Sequence, residues 1–201
     1  MNAKSDQTKA SFSDKWDNNI NLAINETINK NSEIHKWILN RNGFFSELEF
    51  KKWLCNKKRI LDAGCGNGRI IILFNQYISR HISIVGVDLV SADVAKKNTE
   101  HFDNVDIFTA NILDDLSMYG KFDLIYCQEV LHHTNEPQKA FLNLCNLLED
   151  NGEIAIYVYK LKSPIREYSD EYIRSKISVL PYNQAFDEIK LITMLGKYCQ
   201  K

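Results

Sequence analysis

The sequence is poor in glycine and proline and contains no long apolar run. Its 201 residues include only eight Gly and three Pro, which excludes collagen-like repeats and Pro/Gly-rich low-complexity chains. The longest strongly apolar run, Ile70–Phe74, is far shorter than the roughly 20 residues that span a bilayer. The first residues, Met1–Asp6, lack the apolar segment of a secretory signal. We therefore expect a cytoplasmic protein that makes no use of a membrane.

The chain also lacks an excess of either charge and lacks paired cysteines. It has 25 Lys+Arg against 26 Asp+Glu, a formal net charge of −1, which is not the basic footprint of a dedicated nucleic-acid binder. Its five Cys form no CxxC pair, so reduced thiols are expected and a metal site is not. Nucleic acid is therefore not an expected partner.

Three segments follow one another along the chain. Residues 58–160 alternate between β-branched apolar runs and helical patterns, which predicts an α/β fold with a doubly wound, Rossmann-like parallel sheet. Residues 1–57 form a helical N-terminal extension, and residues 161–201 form a helical C-terminal segment. In the extension, apolar residues recur every four positions and predict one amphipathic helix through Trp16, Ile20, Ile24 and Ile28.

A short stretch holds three of the eight glycines: Gly64, Gly66 and Gly68. It follows the first predicted strand and opens a helix, where glycines allow a tight turn and close approach of a ligand. A dinucleotide fingerprint needs its third glycine where this chain has Arg69, so an NAD-dependent oxidoreductase is a weak alternative. A Walker A loop is excluded because no G-K-[ST] is present.

Two acidic residues flank this stretch. Asp62 precedes the first glycine by two positions, and a carboxylate there suits an ammonium or sulfonium ligand better than a pyrophosphate. Asp88 ends the second predicted strand, 20 residues after Gly68. It can accept both hydroxyls of a ribose, as in dinucleotide folds, or cap the next helix.

Together these motifs resemble the class I S-adenosylmethionine-dependent methyltransferases, and most closely the branch of small-molecule enzymes that includes the ubiquinone-type C-methyltransferases. The resemblance covers about residues 55–160. It is carried by Asp62-x-Gly64-x-Gly66-x-Gly68, Asp88, Phe122–Tyr126 and Val130–His133. It implies S-adenosylmethionine as cofactor and methyl transfer to a small-molecule acceptor by in-line displacement.

The resemblance also implies positions around the cofactor. Asp62 and the glycine loop would surround the methionine moiety, Asp88 would bind the ribose, and Leu89 would lie beside the adenine. Asn111 stands where an acid usually meets the adenine amino group. Cys65 in the glycine loop has a packing role. The full expected set is Asp62, Gly64, Cys65, Gly66, Gly68, Asp88, Leu89, Asn111, Ile112, Cys127 and Gln128.

Catalytic candidates follow the fourth predicted strand. His132 or His133 could orient the acceptor or take its proton, although both could also be structural. Glu129 is a rival base. A cluster of large rings in the extension predicts a lid over the acceptor: Phe12, Trp16, Phe44 and Phe45.

Some alternatives remain open at this stage. A basic cluster could contact phosphates in an RNA or protein methyltransferase: Lys51, Lys52, Lys57, Lys58 and Arg59. The Asn111 departure could instead mark a catalytically silent cofactor-binding subunit. Family members close the sheet with two further strands, and only five are predicted here. The chain is therefore either a truncated form or has a reduced sheet, and an exposed fifth-strand edge predicts a homodimer.

Overall fold

The computed structural model describes residues 3–160 and 163–199. The remaining residues of the predicted N-terminal and C-terminal segments lie outside the described residues. The chain divides into two compact units, residues 1–158 and 159–201. The predicted N-terminal extension belongs to the first unit. Within the described ranges, every helix is too short or too polar to cross a membrane.

Five strands form one sheet in the described part of the chain, in the order β3-β2-β1-β4-β5 with every pair parallel. Their bounds are β1 Arg59–Ala63, β2 Ser83–Asp88, β3 Val105–Thr109, β4 Phe122–Gln128 and β5 Leu148–Tyr157. This topology confirms the predicted α/β, Rossmann-like fold. The order reverses between β2-β1 and β4, and ligands of open α/β sheets bind at such a reversal, beyond the carboxyl ends of the strands.

The described residues include nine α-helices. Those of the first unit are α1 Ala3–Asn18, α2 Ile24–Ile28, α3 Glu33–Arg41, α4 Glu47–Cys55, α5 Arg69–Asn75, α6 Ala92–Thr99 and α7 Pro137–Cys145. The second unit contains α8 Pro164–Ile177 and α9 Tyr182–Cys199. Local sequence explains several starts: Ser46 and Glu49 form a reciprocal capping box on α4, and α7 begins with a proline.

The core of the first unit consists of two apolar clusters that share the sheet. Adjacent residues of β1 enter different clusters, Ile60 the first and Leu61 the second, because successive side chains of a strand point to opposite faces of the sheet. The first cluster contains apolar residues of α3, α4 and α5, including Phe50 and Phe74, and the second contains Leu144 of α7. Helices α3 and α4 therefore contribute directly to the core.

The amphipathic helix predicted through residues 16–28 is wrong. α1 ends at Asn18, Ala23 adopts a left-handed φ of 56°, and α2 begins only at Ile24. Tertiary hydrogen bonds explain the break, because the carbonyls of Ile20 and Leu22 accept from the Asn67 side-chain amide at 3.0 and 3.1 Å. These carbonyls bind the glycine loop instead of continuing a helix.

Candidate functional site

The glycine loop between β1 and α5 has a backbone that only glycine adopts easily. Gly64, Gly66 and Gly68 have φ of 81°, 56° and 82°. Gly64 also packs so closely that an added Cβ would lie 2.3 Å from a Val130 methyl. The Gly64 N–H donates to the carbonyl of Val87 in β2 at 2.8 Å. The loop is thus fixed between the ends of β1, β2 and β4.

Asp88 at the end of β2 is bound entirely to backbone in this loop region. Its Oδ2 accepts from the Gly66 N–H at 3.0 Å, and its Oδ1 accepts from the N–H groups of Val90 and Ser91, each at 3.0 Å. The carboxylate therefore joins the glycine loop to the start of α6. A carboxylate oxygen has further lone pairs, so hydroxyl donors could still bind it.

Asp62 in β1 has the opposite environment. Only 3% of it is exposed, and its Oδ2 is buried without a hydrogen-bond partner among the described residues. Burial, reinforced by the nearby Asp88 charge and opposed by Arg69 and Arg41, raises the pKa of Asp62 to about 7. An unpaired buried carboxylate is costly, and an ammonium donor would satisfy it. This orphaned atom fits the amino group of a methionine-type cofactor.

The other residues expected at the methionine end lie in different surroundings. Gln128 is mostly buried, and its amide nitrogen donates to Asn42 Oδ1 at 3.3 Å and to the Ala155 carbonyl at 3.0 Å. The Cys127 side chain lies in the second apolar cluster, and burial raises its pKa to about 12. Cys65 is also buried, and burial raises the pKa of its thiol. Both thiols are therefore protonated near neutral pH.

The residues expected beside the adenine lie after β2 and β3. Leu89 is 38% exposed, so it offers an apolar surface at the end of β2. Ile112 is buried, and Asn111 accepts from the Leu113 N–H through its Oδ1 at 3.1 Å. The Asn111 amide thus forms a local turn, which a carboxylate at this position would also form.

A cationic cluster beside Asp62 was missed by the sequence analysis. Arg41, at the end of α3, has a side chain only 3% exposed, and its Nη1 lies 3.6 Å from Glu129 Oε2. Arg69 Nη2 lies 3.7 Å from the same oxygen. Arg41 stacks on Trp37, with its guanidinium carbon 4.1 Å from the ring centroid. The sequence contains only a weak indication of this role for Arg41. The chain contains six Arg, and Arg41 is the one that lies in the helical segment before β1.

Helix α1 contacts the glycine loop and the segment after β4. The Trp16 indole lies against Gly66, since an added Cβ there would be 2.8 Å from the indole ring. The Phe12 ring packs edge-on against His133, with centroids 4.9 Å apart. The other two rings of the predicted lid lie elsewhere, because Phe44 packs on the first apolar cluster and Phe45 is 87% exposed.

The reversal of strand order, the glycine loop and the two acids Asp62 and Asp88 agree with the result of a comparison with protein families. A family described as a methyltransferase domain matches residues 54–188, which is more than half of the chain. The chain belongs to this methyltransferase family. The assignment confirms the resemblance to methyltransferases that was stated from the motifs.

The curated relatives match about half of the chain. The ubiquinone biosynthesis O-methyltransferase of Coxiella burnetii is 33% identical over 101 residues, which are 48% of this chain and 42% of that protein. The juvenile hormone acid O-methyltransferase of Bombyx mori is 29% identical over 106 residues, 51% of this chain and 38% of that protein. The chain thus spans less than half the length of these relatives.

Solved structures share the fold of the methyltransferase. The PH0226 protein of Pyrococcus horikoshii superposes with a TM-score of 0.52 and 19% identity, covering 76% of this chain and 67% of that one. The YcgJ protein of Bacillus subtilis gives a TM-score of 0.50 and 22% identity, covering 63% and 56%. At these identities the likeness concerns the fold alone.

The two histidines of the methyltransferase differ in exposure. Both ring nitrogens of His132 are buried, and burial lowers the pKa of this imidazole while the Glu129 charge opposes that shift. His133 is exposed and meets both Phe12 and the His132 ring. Within the described ranges, no three His, Cys, Asp or Glu side chains are arranged to hold a metal.

Part of the predicted basic cluster at residues 51–59 makes contacts within the protein. Lys57 is buried and pairs with Glu153 at 2.7 Å. The Arg59 guanidinium donates to the carbonyls of Tyr119 and Lys121 at 2.8 and 3.1 Å. Two of the five cations therefore stabilise the fold instead of presenting charge to a phosphate, which weakens the argument for an RNA substrate.

Proposed function

We propose that this chain transfers the methyl group of S-adenosylmethionine to an oxygen atom of a small-molecule acceptor at the carboxyl edge of the sheet. The observation that carries the proposal is the orphaned Oδ2 of Asp62, buried beside a glycine loop of the methyltransferase family. The names of the two curated relatives, both O-methyltransferases of small molecules, support the acceptor class.

The residues of the chain would promote methyl transfer mainly by positioning the cofactor and the acceptor. S-adenosylmethionine supplies a methyl group already activated on a sulfonium, so the protein needs alignment and exclusion of water more than strong chemistry. Asp62 would accept from the cofactor ammonium, Asp88 from the ribose hydroxyls, and the Gly64–Gly68 backbone would allow close approach. Leu89 and Ile112 would contact the adenine.

His132 is the residue that we propose as the proton acceptor. Its lowered pKa leaves the imidazole neutral near pH 7, which is the form that can take a proton from an acceptor hydroxyl. Glu129 is less suited to this role, because its carboxylate is the counter-ion of two guanidiniums that lie within 3.7 Å of it, those of Arg41 and Arg69.

Helix α1 would cover the bound cofactor. Trp16 already lies on Gly66, and the side-chain amides of Asn67 and Asn98 hold the Ile20 carbonyl after the helix. An indole over this loop would exclude water from the sulfonium. The two-ring lid of Phe12 and Trp16 replaces the four-ring lid expected from the sequence.

Calorimetric titration with S-adenosylmethionine and with NAD tests the proposal. We expect binding of S-adenosylmethionine and none of NAD, followed by transfer of a labelled methyl group to members of a panel of phenols and carboxylic acids. Binding of NAD alone would reject the cofactor assignment. Cofactor binding with no transfer to any acceptor would favour the silent subunit.

Three further expectations stay predictions. Among the described strands β5 pairs only with β4, so its second edge is where a homodimer would form. A cytoplasmic location is the second of these predictions. The assignment of residues 1–57 as extension and lid, 58–160 as cofactor-binding core and 161–201 as a separate segment is retained as a proposal.

A further inference from the structure

Helix α1 places one lysine beside the candidate site. Lys15 is half-buried, and its Nζ lies 4.4 Å from the centroid of the Trp16 ring and 5.6 Å from that of the Phe12 ring. Trp16 lies on Gly66 in the glycine loop. Phe12 packs against His133 in the segment after β4. The two rings that hold the ammonium are therefore the two that contact the loops on which donor and acceptor would meet.

The surroundings of this ammonium disfavour its charge. Aromatic rings attract a cation, but they offer no conventional acceptor to the three N–H groups of an ammonium. Burial, together with the charge of Arg69, lowers the pKa of Lys15, and the charge of Glu129 opposes this shift. Lys15 forms no salt bridge in the described part of the chain. An anion placed beside the ammonium would therefore stabilise it.

The acidic side chains of the site have other surroundings. The Asp88 carboxylate accepts from three backbone N–H groups. Two guanidiniums share Glu129 Oε2 at 3.6 and 3.7 Å. Asp62 is buried in β1, and its pKa, raised to about 7, leaves it partly protonated at neutral pH. These three acids equal the cations of the site in number, so the feature that points to a ligand is the position of Lys15 rather than an excess of positive charge.

We infer that Lys15 determines acceptor specificity by binding a carboxylate of the acceptor, so that hydroxy acids are preferred over neutral hydroxyl compounds. The inference rests on the proposed function, which brings the acceptor to this edge of the sheet. The bound carboxylate is not the group that is methylated, because a hydrogen bond from an ammonium stabilises its charge and makes it a poorer nucleophile. Lys15 therefore orients the acceptor and exchanges no proton with it.

Hydroxy acids and their methyl esters test this role, because an ester keeps the hydroxyl groups and loses the charge. Vanillate, caffeate, mandelate and their methyl esters would be titrated calorimetrically into the protein saturated with S-adenosylhomocysteine. We expect at least one acid to bind about 10-fold or more tightly than its ester, as for a charge-assisted hydrogen bond. If no acid binds more tightly than its ester, the specificity role is refuted.

A Lys15→Gln variant assigns the preference to this side chain. It should weaken binding of the preferred acid about 10-fold, leave the ester unchanged, and leave the affinity for S-adenosylhomocysteine unchanged. Lys15→Arg keeps the charge and should retain most of the preference. Lys9→Gln is the matched control, since Lys9 is an exposed residue of the same helix and its loss should change neither affinity.

Two results with Lys15→Gln would overturn the role. If acids and esters weaken equally, Lys15 only holds α1 in place. If S-adenosylhomocysteine weakens while the preference for the acid persists, the ammonium binds the carboxylate of the cofactor instead.

The unaltered protein separates this role from the proposed function. Binding of S-adenosylhomocysteine without any preference for an acid refutes the specificity role and leaves the proposed function standing. Failure to bind S-adenosylhomocysteine rejects the proposed function, and the specificity role is rejected with it.

Discussion

Two aspartates at the ends of neighbouring strands have contrasting environments. Asp88 has three backbone N–H groups on its carboxylate, all at 3.0 Å, whereas Asp62 has a buried oxygen with no partner in the described part of the chain. Asp88 thus contributes to the fold through these hydrogen bonds, whereas burial of the Asp62 charge costs stability. The same residue type, one strand apart, is satisfied by the backbone in one place and left without a partner in the other, where we propose that a ligand ammonium binds.

Replacing Asp88 should have the largest effect on ligand affinity and stability, and it would remove the difference between the environments of Asp88 and Asp62. Asp88→Ala leaves the N–H groups of Gly66, Val90 and Ser91 without their acceptor, and each such loss in a buried site costs about 1–3 kcal/mol. The ribose would lose its partner as well. We expect the affinity for S-adenosylhomocysteine to fall by about 100-fold or more, together with the melting temperature.

Asp123→Ala is the matched control for that experiment. The Asp123 carboxylate also accepts from backbone, the N–H groups of Lys58 and Arg59 at 3.0 and 2.8 Å, but at the opposite edge of the sheet. It should lower the melting temperature without changing the affinity. If Asp88→Ala likewise changed only the melting temperature, the ribose assignment would be refuted.

Asp62→Asn should sharpen the contrast by separating stability from binding. The pKa of Asp62 is raised to about 7 in the folded protein from an ordinary 3.8, so burial of its charge costs stability increasingly as pH rises from about 4 through 7. At pH 8 the variant should be more stable than the parent by about 1–3 kcal/mol, and this gain should shrink as pH falls towards 4.

The same variant should bind the cofactor less well. Loss of a charge-assisted hydrogen bond to an ammonium should weaken S-adenosylhomocysteine by about 10- to 100-fold. Thermal melts across the pH range and calorimetry on the same samples give both quantities. A stabilised variant with unchanged affinity would show that Asp62 contacts no ligand ammonium.

The smallest effect is expected at Trp16, which lies over the Asp88-bound loop. Trp16→Ala removes the indole from Gly66 and should raise the dissociation rate of S-adenosylhomocysteine about 3- to 10-fold, since affinity changes within one site appear mainly in the dissociation rate. Stopped-flow displacement measures this rate, with Trp53→Phe as control. Tighter binding would instead mean that α1 obstructs the site.

Local sequence signals predicted the fold and the two aspartates, and long-range contacts determined the rest. Strand and glycine-loop patterns are local, so the sheet and the Gly64–Gly68 loop could be predicted from the sequence. The break after α1 could not be predicted, because it is caused by a hydrogen bond from the side-chain amide of Asn67, which lies 45 residues from Leu22. Arg41 was missed for the same reason, since its partner Glu129 lies far along the chain.

The close packing of Val130 against Gly64 has a consequence for how the two loops can move. A Val130 methyl occupies the space where any larger residue at position 64 would place its Cβ, 2.3 Å away, and Val130 directly follows Glu129. Close-packed contacts of this kind transmit displacement rather than absorb it. We therefore expect the loop after β1 and the loop after β4 to move together, so that a displacement of one loop is passed to the other.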